Sequence, residues 1–311
     1  MTSSLSLIER LGHPSGTRAI ILNADDFGMC HAANTAIAER LTDGTLDSAT
    51  IMMPCSWSPE AAAFAAADTR LDVGVHLVLT SEWGRYRWRP LTGGGNSLVD
   101  RDGFFPCDVE SVERGASVED VTAELRAQLE AALAAGIDVT HLDNHMGSVY
   151  GLTTGRDFVA PVLGLAAEFG LPFRLPRHAD GLGVGPAQEQ ALAAAVAGAD
   201  TQGVVIPDRL WTHPFGLDAE GTAEEETYER TLATFLDLLR AVPAGVTEIF
   251  LHPMIDGPEL RATVDYGAAK RGYEHRLLAD PAVAATLVDE GIVRVGWRAL
   301  RDLQRTPGVR A

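Results

Sequence analysis

The chain alternates short apolar runs with longer amphipathic stretches. The first run, Ala19–Leu22, carries into Asn23-Ala-Asp25-Asp26-Phe-Gly28. Continuous apolar runs of this length, bounded by turn residues, mark strands buried on both faces of a parallel sheet. Similar runs lie at 48–53, 73–79, 138–142, 171–175, 203–206 and 246–251, with a short one at 292–295. Segments of helical composition separate them. One spans 30–41 and is closed by Thr42-Asp-Gly44, with Gly44 suited to a left-handed cap. The next is Pro59–Ala67, with Ser58 as its N-cap and Pro59 at the first helical position. Others cover 118–135 behind Ser117, 157–169 ahead of Gly170, an Ala-rich part of 177–201, 222–240 with acids in its first turns, and 281–290 before a last helix. This alternation predicts an α/β fold, a single-domain irregular (β/α) barrel, TIM-barrel-like, with about seven parallel strands. The expected division is an N-terminal arm at 1–18, loose or a short helix, and one barrel domain over 19–305.

The rhythm breaks at 80–117. Ser81-Glu-Trp-Gly-Arg-Tyr-Arg-Trp-Arg-Pro90 is followed by Gly93-Gly-Gly95. The stretch is too long for an ordinary strand-to-helix connection and has the composition of an inserted functional loop. Trp83, Tyr86 and Trp88 on a solvent loop need something to cover.

Composition narrows the picture. The 311 residues suffice for one large α/β domain, and 46% hydrophobic with 22% charged residues is a globular balance. The formal net charge of -18 disfavours nucleic acid and anionic membranes as partners. No apolar stretch approaches a membrane span, and the N-terminus lacks the basic and apolar regions of a signal peptide. Cys30, Cys55 and Cys107 are odd in number and widely spaced, so neither a disulfide framework nor a thiolate metal site is expected. A reducing cytoplasm is the expected location.

Ionisable residues gather at the predicted strand ends, which form the active-site face of parallel α/β folds. Asp25 and Asp26 follow the first strand and His76 lies in the third. His141, Asp143 and His145 close the fourth, Arg174 lies in the fifth, and His252 ends the seventh. Two histidines with one carboxylate leave open positions on a metal, as catalysis requires. Asp26, His76 and His145 are the best-placed set. His141 and Asp143 are further ligands or groups that fix a ligand imidazole. Each residue also has a plainer use: the Asp pair as turn caps, His76 as a core histidine, His252 as a turn residue. His31, His178, His213 and His275 read as surface or loop residues.

With these motifs in place, the chain resembles the YdjC/ChbG/HpnK family of carbohydrate deacetylases. The likeness rests on Asn23-Ala-Asp-Asp-Phe-Gly28, Gly74-Val-His-Leu-Val-Leu-Thr80, Thr140-His-Leu-Asp-Asn-His145 and Leu251-His-Pro253, in family order over roughly 19–300. It implies an irregular (β/α) barrel, one divalent metal, and hydrolysis of an N-acetyl group on a small carbohydrate. It implies that Asp26, His76 and His145 bind the metal and that Asp25 is the base. The expected chemistry is a metal-activated water giving its proton to Asp25, with His252 protonating the leaving amine. Arg174 would orient Asp25 or the substrate, and Trp83 and Trp88 would stack on a sugar ring. Zn²⁺ suits the ligands, and Mg²⁺, Mn²⁺, Co²⁺ or Ni²⁺ are compatible. Two departures bear on the substrate: Met146-Gly-Ser stands where chitobiose deacetylases of the family have a His-rich stretch, and the 81–90 loop differs from the shorter one there. Three rivals stand beside this reading. A phosphoesterase could use Arg85, Arg87 and Arg89 on phosphate, an amidohydrolase could act on a non-sugar amide, and a non-catalytic binder needs neither Asp25 nor His252. Monomer and homodimer are both open.

Overall fold

The computed structural model describes residues 5–93, 97–213 and 226–306. The chain runs α1 (Leu7–Arg10), β1 (Arg18–Phe27), α2 (His31–Thr42), β2 (Ser48–Ile51), α3 (Ser58–Ala67) and β3 (Val73–Leu77). It continues through α4 (Val109–Gly115), α5 (Val118–Ala134), β4 (Val139–Asn144), α6 (Val159–Phe169), α7 (Pro186–Gln202) and β5 (Arg209–Thr212). It ends with α8 (Tyr228–Ala241), β6 (Gly245–Leu251), α9 (Pro258–Thr263), α10 (Ala268–Leu278), α11 (Pro281–Asp289), β7 (Val293–Arg294) and α12 (Trp297–Arg305).

The strands form one parallel sheet in the order β4-β3-β2-β1-β6-β5, with β7 also on β1. β6 follows β1 from Arg18 to Ala24, while β7 takes the lower part of the other edge and β2 the upper part. The sheet curls. Its two edges approach through irregular chain rather than regular strands. Leu142 of β4 pairs with Phe173, the Phe173 N–H donates to Val205, and Arg177 and His178 donate to Pro207 and Asp208, just ahead of β5. The fold is therefore the expected irregular (β/α) barrel.

Two strand assignments differ from the sequence pattern. Residues 171–175 and 203–206 are not regular strands: Phe173 makes one isolated bridge, and Gly203 is the left-handed C-cap of α7. The regular strand of that sector is β5, which the pattern passed over. Arg209-Leu-Trp-Thr212 has only Leu210 buried, so its apolar signal is weak. In α3 the N-cap is Trp57 rather than Ser58, whose hydroxyl donates to the Met53 carbonyl. α8 begins at Tyr228 with Thr227 as its cap, and the start expected at 222 lies outside the described residues.

β1 shows how the barrel interior is layered. Ile20, Leu22 and Ala24 pack outward under the helices. Ala19 and Ile21 face inward onto a separate apolar floor with Val246, Trp297 and Leu7. Above that floor the interior turns polar. His141 stacks on Trp297, with centroids 4.6 Å apart and planes within 5°. A Cβ on Gly74 would stand 2.6 Å from that imidazole, so the β3 glycine is the residue that admits His141. Among the described residues, no helix is long and apolar enough to cross a membrane.

Candidate active site

The site stands on an irregularity in β1. The pairing with β2 slips between Ala24 and Phe27, since Ala24 opposes Ala49 and Phe27 opposes Ile51. Three steps along β1 match two along β2, so β1 carries one extra residue, a bulge of the kind that re-aims side chains beside active sites. Asp26 adopts φ +67°, a left-handed conformation that costs a non-glycine residue on the order of 1 kcal/mol or more. Adjacent strand residues normally point to opposite faces. With the bulge, both Asp25 and Asp26 line one cavity of about 1110 Å³.

Asp26 meets two histidines. Its Oδ1 lies 3.4 Å from His145 Nδ1 and 3.6 Å from His76 Nε2, and the two nitrogens are 3.3 Å apart. Ligand atoms held tetrahedrally at roughly 2.1 Å from a metal stand roughly 3.4 Å from one another. These three buried donors could hold a metal ion. The far nitrogen of each imidazole is engaged by a carboxylate: His76 Nδ1 by Asp143 at 2.7 Å, and His145 Nε2 by Glu82 at 2.9 Å. Asp26 Oδ1 has no hydrogen-bond donor within the described residues. A buried carboxylate oxygen in that state calls for a cation.

Asp25 belongs to a second layer. Arg174 grips both of its oxygens at 2.7 Å and also reaches Asp143 Oδ2 at 2.8 Å and Glu248 Oε1 at 2.9 Å. Asn23 donates to Asp25 Oδ1 at 2.9 Å, and Thr50 donates to Asp143 Oδ2 at 2.8 Å. Asp25, His76 and Asp143 form another possible donor group, but Arg174 already supplies the cation between its two carboxylates. Asp25 Oδ2 stands 4.0 Å from His76 Nε2, so the carboxylate flanks the donor triangle without joining it.

Residues 19–289 match the YdjC-like protein family. The chain belongs to this family. It is 35% identical over 298 residues to a carbohydrate deacetylase from Thermus thermophilus, covering 96% of this chain and 99% of that protein. It is 29% identical over 287 residues to one from Geobacillus stearothermophilus, covering 92% and 99% respectively. Among solved structures it resembles a protein from Enterococcus faecalis assigned to cellobiose-phosphate cleavage, with a TM-score of 0.71, 25% identity, and 91% of this chain and 99% of that one covered.

In this YdjC-like chain the electrostatics follow from burial opposed by close partners. Burial would raise the Asp25 carboxyl, but Arg174 and His76 hold it at about 2. Asp26 is also held well below the carboxylate range, burial being outweighed by the close His145 imidazole and by the charges of His252 and His76. His145 is lifted to about 10, because the Glu82 charge and Asp26 overcome burial. His76 is raised by Asp143 and Asp25 against burial. His252 goes the other way: burial lowers it more than Asp26, Asp25 and Glu274 raise it. It stands on the cavity wall just past β6, its backbone N–H held by Glu274 at 2.7 Å.

The remaining expected site residues divide. Trp83 lines the cavity with its ring 5.2 Å from Tyr266. Trp88 is buried inside the loop, donating to the Thr80 carbonyl, with its ring 6.0 Å from that of His145. The loop aromatics thus cover their own protein as well as the cavity. His141 sits lower in the barrel against Thr140, Asp72 and Trp297, apart from the donor triangle. Met146, at φ +54°, turns the chain after His145 and lies on the cavity rim. Glu82 and Glu248 were not expected from the sequence. Glu82 was overshadowed by the tryptophans and arginines around it, although it is the only acid in 81–90. Glu248 follows from strand alternation: a lone acid in an apolar strand needs a buried partner, here Arg174.

Proposed function

We propose that this chain is a metal-dependent hydrolase that removes the N-acetyl group from an amino sugar or an N-acetylglucosamine oligosaccharide. The observation that carries the reading is the Asp26–His76–His145 triangle, with the ionised Asp25 beside it and His252 on the same cavity wall. The names of the relatives support the substrate class.

Asp26, His76 and His145 hold the metal, and zinc suits their donors. Bound there, a divalent cation makes water acidic near neutrality and polarises an amide carbonyl. Asp25 takes the proton of the attacking water. Its Oδ2 faces the triangle and keeps a lone pair beyond the Arg174 bond, because a carboxylate oxygen accepts two. Arg174, pinned by Asp143 and Glu248, fixes the plane of that carboxylate. His252 gives a proton to the departing amine. Trp83, buried against Tyr266 and Arg271, backs the cavity wall on which the sugar would lie.

The phosphoesterase alternative draws little support from the arginines of the loop. Arg87 is tied to Asp100 and to the Ser81 and Phe105 carbonyls. Arg89 lies over the Phe104 ring at 4.1 Å, and neither Arg85, Arg87 nor Arg89 lines the cavity.

The test is an acetate-release screen over mono- to oligomeric N-acetyl sugars, on chelator-treated protein with each divalent metal restored in turn. Acetate release that needs a metal and disappears in His76→Ala is expected. Phosphate release from sugar phosphates without any acetate release would overturn the reading.

A further inference from the structure

The two histidines of the triangle are presented in opposite senses. His76 turns Nε2 to Asp26 and gives Nδ1 to Asp143, its neighbour in strand register. His145 turns Nδ1 to Asp26 and gives Nε2 to Glu82, which lies 63 residues earlier in the inserted segment. An imidazole can offer a lone pair to a metal from only one nitrogen while the other carries its proton, and the acceptor on the far side selects which.

We propose that Glu82 is the positioning residue that fixes His145 as an Nδ1 ligand, so that the 80–90 loop completes the metal centre. The proposal rests on the metal site described above. Glu82 is built for this task. Its side chain is 11% exposed. Its neighbours on both sides are anchored. The Ser81 N–H donates to Pro106 O at 2.8 Å, and the Ser81 hydroxyl and carbonyl accept from the Trp88 N–H and from Arg87. On the other side the Gly84 N–H donates to Asp265 at 3.0 Å, and Trp83 packs against Tyr266. Trp88 meets the His145 ring edge-on, with centroids 6.0 Å apart. The carboxylate therefore arrives at Nε2 on a braced piece of chain, which is what a ligand-orienting group requires. Rotating the His145 ring to present Nε2 would bring the Nδ1 proton against Glu82 only if the ring also shifted, because the two nitrogens lie at different distances from Cβ.

The test compares Glu82→Ala and Glu82→Gln with the parent, using zinc itself as probe. Zinc affinity is read by competition with a chromophoric chelator, and the His145 ring state by ¹⁵N–¹H correlation of the zinc-loaded protein. The parent should bind zinc, lose it in His76→Ala, and show His145 metallated at Nδ1 with a slowly exchanging Nε2–H. Glu82→Ala should weaken zinc binding by about 10- to 100-fold and speed exchange of that proton, the usual effect of removing such a partner. Glu82→Gln should bind within about threefold of the parent, because its amide oxygen still accepts from Nε2–H. Parent-like affinity in Glu82→Ala, or His145 metallated at Nε2 in the parent, overturns the proposal and leaves the metal site intact. Equal losses in the alanine and glutamine variants also overturn it, since the hydrogen bond would then not be the agent. A parent that takes up no zinc or other divalent metal overturns the metal site and the proposal together.

Discussion

At the scale of single residues, the site depends on carboxylates used in two ways. Among the described residues, Asp26 keeps an oxygen free of hydrogen bonds, whereas both oxygens of Asp25 accept from Arg174 and one also from Asn23. Neighbours in sequence thus have different chemistry because they have different partners. Replacing Asp25 by Asn should separate the roles. The amide is nearly isosteric but takes up no proton, so the variant is expected to keep the parent's zinc content while turnover falls by ~10²–10⁴-fold. Acetate release and metal analysis on the same preparation check this, and loss of zinc would place Asp25 among the ligands. The positions of Asp25, Asp26, His145 and His252 were legible because each lies where an apolar run stops, and that of His76 because it is the one ionisable residue within its run at 73–79. Glu82 was not, because an irregular segment has no period from which a residue's direction can be read. His141 shares a strand face with Asp143, yet the same two-residue period sends it one layer lower, onto Trp297.

At the scale of elements, helices carry glutamates, three of the four buried, that accept backbone N–H groups from loops and from the start of α2. Glu113 of α4 takes the N–H groups of Thr153 and Thr154, and Glu124 of α5 takes those of Leu91 and Thr92. Glu259 of α9 takes those of His31 and Ala32, and Glu274 of α10 takes that of His252. Such clamps are invisible in a hydrophobic pattern, which reads an acid on a helix as solvent-facing. β5 was missed for a related reason, since its four residues are only partly buried. The Glu274 clamp has a pH signature. Burial raises its carboxyl, but His213, Lys270 and His252 together bring it to about 2, from 4.5. A group lowered on folding stabilises the native state above its unfolded value and loses that contribution as the pH falls toward the folded one. The window is therefore from about pH 5 down to about pH 2, and the stake is roughly 3 kcal/mol. Glu274→Gln should have a lower Tm than the parent at pH 7 and a shallower loss of Tm between pH 5 and pH 2, as read by scanning calorimetry. Parallel curves for the two proteins would show that Glu274 carries no such charge.

At the scale of the whole molecule, the barrel is regular on one side and improvised on the other. β1 is flanked by three strands, while the sector from 171 to 208 is closed by isolated hydrogen bonds. The class of fold was readable because every strand-to-helix unit repeats the same grammar. The weak sector was over-regularised, because apolar runs at 171–175 and 203–206 look like strands even where the ladder fails to form. Amide exchange should rank the two sides. The N–H groups of Phe173 and Arg174 are expected to exchange through local opening, well ahead of those of Ile20 to Ala24, which should approach the global limit. Equal protection would mean that the ring opens only as a unit. The bulge in β1 limits how such a mouth can arise in a lineage. A strand in flush register with β2 cannot acquire two adjacent inward acids by replacing side chains, because the second would face the helices. It must gain a residue, and losing one between Ala24 and Phe27 would remove the pair at a stroke. The history of this site is therefore written in insertions and deletions as well as in substitutions.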